Sequence, residues 1–263
     1  SFFMNNKIII AIDAMGGENA PIKNIEGLSI FFDQNKSCSD YFFNIYGQEK
    51  LITEQIKRLK ITNKNYKIFN TDTIVSDKET PLTAIKNSKN TSMWNAINSQ
   101  VKDNSNITLS AGNTAVLLVI SRMLLKTIDK INKPALAGLW PSRKGTSVVL
   151  DLGANVECDE NNLLDFSKLG SSLFKSLYPS IKPNVSLLNI GSEEIKGTEK
   201  LKKAYTMLKD IGKNENFDFS GYIEGNEILN GDSNVIVTDG FTGNVALKTA
   251  EGTAKFITDS LKD

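Results

Sequence analysis

Short runs of apolar, β-branched residues alternate along this chain with segments of helical periodicity. The first run, KIIIAID, covers Lys7–Asp13. Continuous apolar runs of this length are typical of strands buried in a parallel sheet. The same pattern predicts six further strands, at Tyr41–Tyr46, Tyr66–Phe69, Ile107–Ser110, Ser147–Asp151, Ser186–Ile190 and Val235–Thr238.

The segments between these runs carry helical patterns. From Thr198 to Leu208 apolar residues recur on one helical face, and Gly212 stands where a C-terminal cap is expected. The segment Thr114–Leu125 is apolar nearly all round, which predicts a buried helix. Alternating strands and helices indicate one α/β domain over residues 1–263, with a mostly parallel sheet between helices.

A small polar loop follows each of five predicted strands. Each loop places glycine where the backbone turns or approaches a ligand, beside Asp, Asn, Ser or Thr at a helix start. Ligands of such sheets bind at the carboxyl ends of the strands, so the five loops favour a shared anionic ligand. Any one of these loops alone is more typical of an ordinary turn and helix cap than of a ligand site. The loops are Asp13–Gly17, Ser110–Thr114, Asp151–Asn155, Asn189–Glu194 and Asp239–Asn244.

Composition narrows the chemistry. The chain has no histidine and a formal net charge of +1, so it has no Ser-His-Asp triad and no global signal for nucleic acid. The glycine motifs of standard dinucleotide and ATP sites are missing. The two cysteines, Cys38 and Cys158, are far apart, which favours a reducing cytoplasm and disfavours a zinc site. The apolar run Ala115–Ile120 is too short to span a bilayer.

Because the chain has no histidine, general acid and base catalysis near neutral pH would need Asp, Glu or Lys residues with shifted pKa values. Inorganic phosphate, however, is already an anionic nucleophile. An enzyme that attacks a thioester with phosphate mainly needs a phosphate cradle, an oxyanion site and a proton for the leaving thiolate. The five loops and the lysines are compatible with that chemistry.

Six stretches of the chain, in order, resemble motifs of the phosphate acyltransferase (PlsX) family. The resemblance covers Ile8 to about Phe256, and its motifs are AIDAMGGENAP, SAGNTAVLL, LDLGANVEC, LLNIGSEEIKGT, GYIEGNEIL and VTDGFTGNVALKTAEG. It implies that acyl-[acyl-carrier protein] and phosphate give acyl phosphate and free carrier protein. The acyl phosphate would feed a membrane glycerol-3-phosphate acyltransferase in bacterial phospholipid (phosphatidic acid) synthesis.

The resemblance also implies a fold and a setting. The fold would be a Rossmann-like three-layer α/β/α sandwich, similar to isocitrate and isopropylmalate dehydrogenases. The protein would be a cytoplasmic homodimer with peripheral membrane association at most, and would use no cofactor, no metal and no nucleic acid.

Site residues follow from the loops together with the resemblance. We assign catalytic roles to Lys196, Asn244, Lys248 and Asp239. Substrate or phosphate contacts are assigned to Asp13, Gly16, Gly17, Ser110, Gly112, Asn113, Thr114, Asp151, Gly153, Asn155, Gly191, Glu194, Gly240 and Gly243. Cys158 is interpreted as structural, because no cation is fixed near it in sequence. The sequence does not show which helices line a groove for the acyl chain.

The chain departs from the family pattern in three places. The stretch Ala84–Trp94 carries fewer basic residues than usual, Ala115 stands where glycine is common, and Asp263 ends the chain within an apparent helix, where the family continues. A shortened chain leaves alternatives open. These are an inactive remnant that keeps an anion-binding scaffold, a phosphotransacetylase-like enzyme acting on acyl-CoA and, least favoured, a dehydrogenase.

Overall fold

The structure is a computed structural model that describes residues 7–75, 80, 83, 86–211 and 216–262. The chain forms two compact units, which divide between Lys126 and Thr127, and each contains its own sheet. One domain over residues 1–263 therefore stays a prediction. The predicted cap at Gly212 and the first two residues of the Ala84–Trp94 stretch lie outside the described residues.

Unit 1, up to Lys126, is built on a four-stranded sheet with the order β3-β2-β1-β4, in which all neighbouring strands are parallel. The elements with fully described bounds are β1 (Ile8–Asp13), α1 (Ile22–Gln34), β2 (Tyr41–Gly47), α2 (Glu49–Arg58), β3 (Tyr66–Asn70), α3 (Ser92–Val101), β4 (Ile107–Ser110) and α4 (Thr114–Leu124).

Alternating side chains of the unit 1 sheet face opposite layers. Ile12 and Ile45 pack with α1 and α2 on one face, and Ala11 and Tyr46 pack against α3 on the other. Helix α4 packs on α3, and among its residues only Val116 and Ile120 are fully buried. The predicted buried helix is therefore fully buried only where Val116 and Ile120 pack, and its other apolar side chains are partly buried or exposed.

Unit 2, from Thr127, contains a five-stranded sheet with the order β5-β6-β9-β7-β8. All neighbours are parallel except β5, which is antiparallel to β6. Its elements are β5 (Ala137–Ser142), β6 (Gly145–Leu150), α5 (Glu160–Leu177), β7 (Asn184–Asn189), α6 (Glu199–Ile211), β8 (Asp218–Glu224), a 3-10 helix (Gly225–Asn230), β9 (Val235–Val237) and α7 (Gly240–Ser260).

Helices cover both faces of the unit 2 sheet. Leu150 and Leu187 pack with α5 and α6, whereas Val149 and Ile236 pack with α7 and the 3-10 helix. This arrangement, with that of unit 1, confirms the predicted three-layer, mostly parallel α/β architecture. Among the described residues, no helix is both long enough and apolar enough to cross a bilayer.

All seven predicted strands are present, and β5 and β8 are the two that the sequence pattern missed. Strand β5 contains Pro141, which is tolerated because the strand lies at the edge of the sheet. Strand β8 contains Gly221 with φ +87°, which interrupts its apolar alternation. Both strands that depart from a regular pattern thus lie at the edges of the sheet.

Candidate active site

Asp13 and Ser110 end the neighbouring strands β1 and β4, and their side chains meet at the carboxyl edge of unit 1. The Ser110 hydroxyl donates to Asp13 Oδ2 over 2.7 Å and accepts from the Gly112 N–H over 3.1 Å. The Met15 N–H donates to Asp13 Oδ1 over 3.3 Å. The two predicted loops of this unit are thus tied together through one carboxylate.

The Asp13 carboxyl is 2% exposed, and its burial raises its pKa above the usual range. Hydrogen bonds from Ser92, Ser110 and backbone N–H groups oppose that shift without cancelling it. A raised carboxyl pKa is the property expected of a general acid. Asp13 is therefore suited to hold or deliver a proton.

Two helices begin beside this carboxyl. Helix α3 begins at Ser92 after the cap Thr91, whose hydroxyl accepts from the Trp94 N–H over 3.2 Å. Helix α4 is capped by Asn113, whose Oδ1 accepts from the backbone N–H groups of Ala115 and Val116. The predicted phosphate contact of Asn113 thus competes with a capping role that the structure shows.

Glycine 16 lets the two loops of unit 1 approach each other. A Cβ atom at Gly16 would lie 2.6 Å from Asp13 Oδ2 and 2.8 Å from the Gly112 nitrogen. The adjacent Gly17 has φ +91°, a conformation that favours glycine. The Asn24 side chain stabilises the Asp13–Gly17 loop, because its Nδ2 donates to the Ala14 and Gly16 carbonyls.

In unit 2, Asp151 organises the loop that follows β6. Its side chain is fully buried, and its carboxylate accepts from the N–H groups of Gly153, Ala154 and Asn155 over 2.8 to 3.1 Å. It also accepts from the Leu136 N–H and from Asn155 Nδ2. The predicted contact of Asp151 with phosphate has no support in this geometry, because the carboxylate is enclosed and engaged.

Asn155 is likewise engaged within the protein rather than directed at a ligand. Its Nδ2 donates to the Pro134 carbonyl over 2.7 Å as well as to Asp151. Its carbonyl accepts from the Gly240 N–H over 2.8 Å, which joins the β6 loop to the start of α7. These contacts support the loop, and the phosphate contact assigned to Asn155 stays a prediction.

The segment Asp239–Asn244, predicted as a loop, is the cap and first turn of α7, and its two glycines pack against the β6 loop. A Cβ atom at Gly240 would lie 2.5 Å from the Asn155 carbonyl oxygen, and one at Gly243 would lie 1.8 Å from the Asp151 carbonyl oxygen. Asn244 Nδ2 donates to the Leu152 carbonyl over 3.2 Å. Gly240 and Gly243 are therefore required by loop-to-loop packing.

Asp239 is the N-cap of α7. Its Oδ1 accepts from the Thr242 N–H over 2.8 Å, and its Oδ2 accepts from the Thr242 hydroxyl over 3.1 Å. Capping by aspartate satisfies one of the N–H groups that an α-helix leaves unpaired at its start. The catalytic role assigned to Asp239 stays a prediction.

The loop after β7 presents Lys196 to solvent. Asn189 Nδ2 donates to the Lys196 carbonyl over 3.1 Å, and Gly197, with φ +92°, packs against the Asn189 side chain. The Lys196 side chain is exposed, and no described residue forms a hydrogen bond or ion pair with its ammonium group. This ammonium is therefore available to an anion.

The Glu194 carboxylate, in contrast, is bound by two side chains of α6. Its Oε1 accepts from Lys209 Nζ over 2.9 Å and from the Tyr205 hydroxyl over 2.8 Å. The hydrogen bond from Lys209, followed by that from Tyr205, holds the pKa of Glu194 below its usual range. A carboxylate kept ionised in this way repels phosphate, so its predicted phosphate contact is disfavoured.

Lys248 forms an ordinary surface ion pair with Glu251, one helical turn away, at 2.8 Å between Nζ and Oε2. Its side chain is 65% exposed, and exposed pairs of this kind contribute little to stability. The catalytic role of Lys248 stays a prediction.

A groove of about 1020 Å³ lies beside the β7 and β9 loops of unit 2. Most of its lining is apolar and comes from α7, the 3-10 helix and the sheet. The polar part of the lining comes from side chains that follow β7 and β9. The sequence could not assign this groove, because its wall is formed by residues far apart along the chain.

The chain matches a family model described as "Fatty acid synthesis protein" over residues 8–263. It is 54% identical over 259 residues to "Phosphate acyltransferase" of Pelagibacter ubique, covering 98% of this chain and 76% of that protein. It is 40% identical to "Phosphate acyltransferase" of Wolbachia pipientis, covering 95% and 72%.

The chain belongs to the phosphate acyltransferase family. This confirms the resemblance drawn from the six motifs. Among solved structures, "EutD phosphotransacetylase from Staphylococcus aureus" superposes with a TM-score of 0.67 at 12% identity, covering 95% of this chain and 83% of that one. A phosphotransacetylase from Streptococcus pyogenes gives 0.66 at 13%, covering 95% and 82%. At these identities the likeness shows the fold.

In this phosphate acyltransferase family member, the predicted site residues fall into two groups, one in each unit. Unit 1 contains the predicted residues from Asp13 to Thr114, and unit 2 contains those from Asp151 to Lys248. Sequence reasoning missed Ser92 and Asn24, which contact Asp13 and its loop. The capping pattern Thr91-Ser92 could have indicated a helix start, whereas nothing in the sequence marked Asn24.

Cys158 fits the structural role predicted for it. The side chain is 5% exposed, and its Sγ donates to the Asn155 carbonyl over 3.7 Å. Burial raises the pKa of the thiol, which disfavours the nucleophilic thiolate.

Replacing Asp13 by asparagine is expected to change how stability depends on pH. A carboxyl whose pKa is raised on folding contributes stability that is present at low pH and is lost as pH rises through the raised pKa. Wild type should therefore lose stability relative to Asp13→Asn as the pH rises from the ordinary carboxyl pKa of 3.8 through the acidic range. Urea unfolding across this range measures the difference. The exposed Asp232→Asn variant is the control, and a pH-independent difference for Asp13→Asn would contradict the assignment.

Proposed function

We propose that the chain transfers the acyl group of an acyl-[acyl-carrier protein] thioester to inorganic phosphate, giving acyl phosphate and free carrier protein. The observation that carries this proposal is the 54% identity, over nearly the whole chain, to a protein named phosphate acyltransferase. The absence of histidine agrees with it, because phosphate arrives already ionised and needs no strong base.

In the proposed reaction, a phosphate oxygen attacks the thioester carbonyl, the carbon–sulfur bond breaks, and the leaving thiolate takes up a proton. Lys196 is the residue proposed to bind the phosphate, because its ammonium is exposed and unengaged by the described residues. Asn244 and Thr242 are proposed to position substrate at the start of α7, where the helix dipole favours an anion. Preorganised donors of this kind stabilise the charge that develops in acyl transfer.

The cellular setting is part of the same proposal. The acyl phosphate would be consumed by a membrane glycerol-3-phosphate acyltransferase in phospholipid synthesis. We place the protein in the cytoplasm as a homodimer with peripheral membrane contact. The description of the matched family as a fatty acid synthesis protein supports a lipid role.

The reaction is tested with purified protein, palmitoyl-carrier protein and inorganic phosphate. Acyl phosphate, trapped as the hydroxamate, and free carrier thiol should appear together and only when phosphate is present. Equal or better use of palmitoyl-CoA would instead indicate the phosphotransacetylase-like reaction. Folded protein that releases neither product would indicate an inactive remnant.

Lys196→Ala is expected to lower kcat/KM by a factor of about 100, as the loss of one charged or oxyanion contact does. Lys255→Ala is the matched control, because Lys255 is also exposed but lies on α7 outside the groove. The Lys196 assignment fails if both variants retain wild-type kcat/KM and wild-type dependence on phosphate concentration.

A further inference from the structure

The groove of unit 2 has an apolar interior. Its floor contains Trp140, Leu188 and Ile228, which belong to the core cluster beneath α7. Its outer wall is the face of α7 that carries the alanines and threonines of the sequence between Val245 and Ile257. Because these side chains are short, they leave space that larger residues would fill.

The groove is continuous with the polar loops at the carboxyl edge of the sheet. Asn189, Asp239 and Thr242 line it, and Thr198 and Thr242 also line the adjoining recess beside Cys158. The loop that carries Lys196 leads into Gly197, which is itself a lining residue. One cavity thus joins a polar region to a long apolar region.

We infer that this groove binds the hydrocarbon chain of the acyl substrate, with the thioester and phosphate at its polar end. This assignment rests on the proposed function for the identity of the ligand. The shape and composition of the groove support it independently, because a ligand with one polar head and one long apolar tail matches both parts of the groove.

The length of the groove suits a long acyl chain. Along α7, the distance from Thr242 to Ile257 is about 22 Å at the helical rise of about 1.5 Å per residue. Fifteen carbon–carbon bonds of about 1.5 Å each, laid out in a zigzag, span on the order of 20 Å. A palmitoyl chain would therefore reach the far end of the groove, whereas a hexanoyl chain would stop near the polar end.

Thr253 gives a test at the far part of the groove. It lines the groove, yet its side chain is exposed and outside the core, so a larger residue there should not disturb folding. Thr258, also exposed and on the same helix, does not line the groove and provides the same substitution as a control.

The kinetic experiment compares Thr253→Phe and Thr258→Phe with palmitoyl- and hexanoyl-carrier protein. Each methylene kept in water costs about a factor of four in affinity. Blocking the far part by a few methylenes should therefore raise KM for the palmitoyl substrate at least about 10-fold and leave the hexanoyl substrate unchanged. Thr258→Phe should alter neither value. Equal effects of Thr253→Phe on both chain lengths would overturn the assignment.

A binding measurement separates this inference from the proposed function. In a Trp94→Phe background, Trp140 is the remaining tryptophan, and it lies in the groove. A dibromostearic acid should quench its fluorescence, and Thr253→Phe should weaken that quenching about 10-fold while Thr258→Phe does not.

The outcomes are distinguishable. Quenching without phosphate-dependent turnover would contradict the proposed function but support the groove as an apolar ligand site. Turnover without quenching, and with unchanged chain-length preference in Thr253→Phe, would overturn the groove assignment and keep the function. A dimer that dissociates in Thr253→Phe while quenching is absent in wild type would assign the groove to a second copy of the chain, and would also overturn the inference.

Discussion

Gly243→Ala is expected to destabilise unit 2 by at least about 3 kcal/mol and to abolish activity. The added Cβ atom would lie 1.8 Å from the Asp151 carbonyl oxygen, far inside the contact distance of about 3.5 Å. The obstacle is backbone held in a buried loop, so it cannot rotate away as a flexible side chain would. Chemical denaturation followed by circular dichroism measures the loss.

Gly252→Ala, in the same helix, is the matched control. A Cβ atom at Gly252 meets nothing within 4 Å, and alanine is favoured over glycine in a helix interior by about 1 kcal/mol. This variant should therefore be as stable as wild type or more stable. If both substitutions changed the free energy of unfolding alike, helix propensity would explain them, and the loop contact at Gly243 would be refuted.

Asp151→Asn is expected to lower the free energy of unfolding on the order of 3 kcal/mol. The buried carboxylate accepts from four backbone N–H groups and one side-chain amide. An asparagine in its place turns an N–H donor toward some of those donors, which leaves them unpaired in the interior. Since the same loop supports Gly240 and Gly243, activity should fall together with stability.

Asp232→Asn is the comparison for Asp151. Asp232 pairs with Lys144, and its side chain is 60% exposed, so its loss should cost no more than about 0.5 kcal/mol. Urea unfolding of both variants at neutral pH decides the matter. A loss for Asp151→Asn as small as that for Asp232→Asn would show that the hydrogen bonds around Asp151 do not hold its loop.

The resemblance and the pattern of apolar runs together predicted most of the fold. Buried parallel strands need continuous apolar runs, and all seven runs form strands. Strands β5 and β8 escaped detection because Pro141 and Gly221 break their patterns, and an edge position tolerates such residues. Helix α4 was predicted to be buried, but an apolar composition does not show how many of its faces find a packing partner.

Part of the candidate site, like part of the fold, was predictable from the sequence. Sequence placed the five polar segments after strands, and glycine and small polar residues there are typical both of tight turns and of anion binding. It could not separate these two uses. The structure assigns Asp151, Asn155, Gly240 and Gly243 to loop support, and it leaves the Lys196 ammonium unengaged among the described residues.

The sequence by itself determined the family, the mostly parallel α/β architecture and the loops that carry its polar residues. These properties depend on periodicity and on motifs that are local in the chain. Tertiary structure alone decided that burial raises the pKa of Asp13, that Gly243 meets the Asp151 carbonyl, and that α7 and the 3-10 helix enclose a groove over Trp140. Burial, close contact and cavity volume arise between segments far apart along the chain, so no local pattern encodes them.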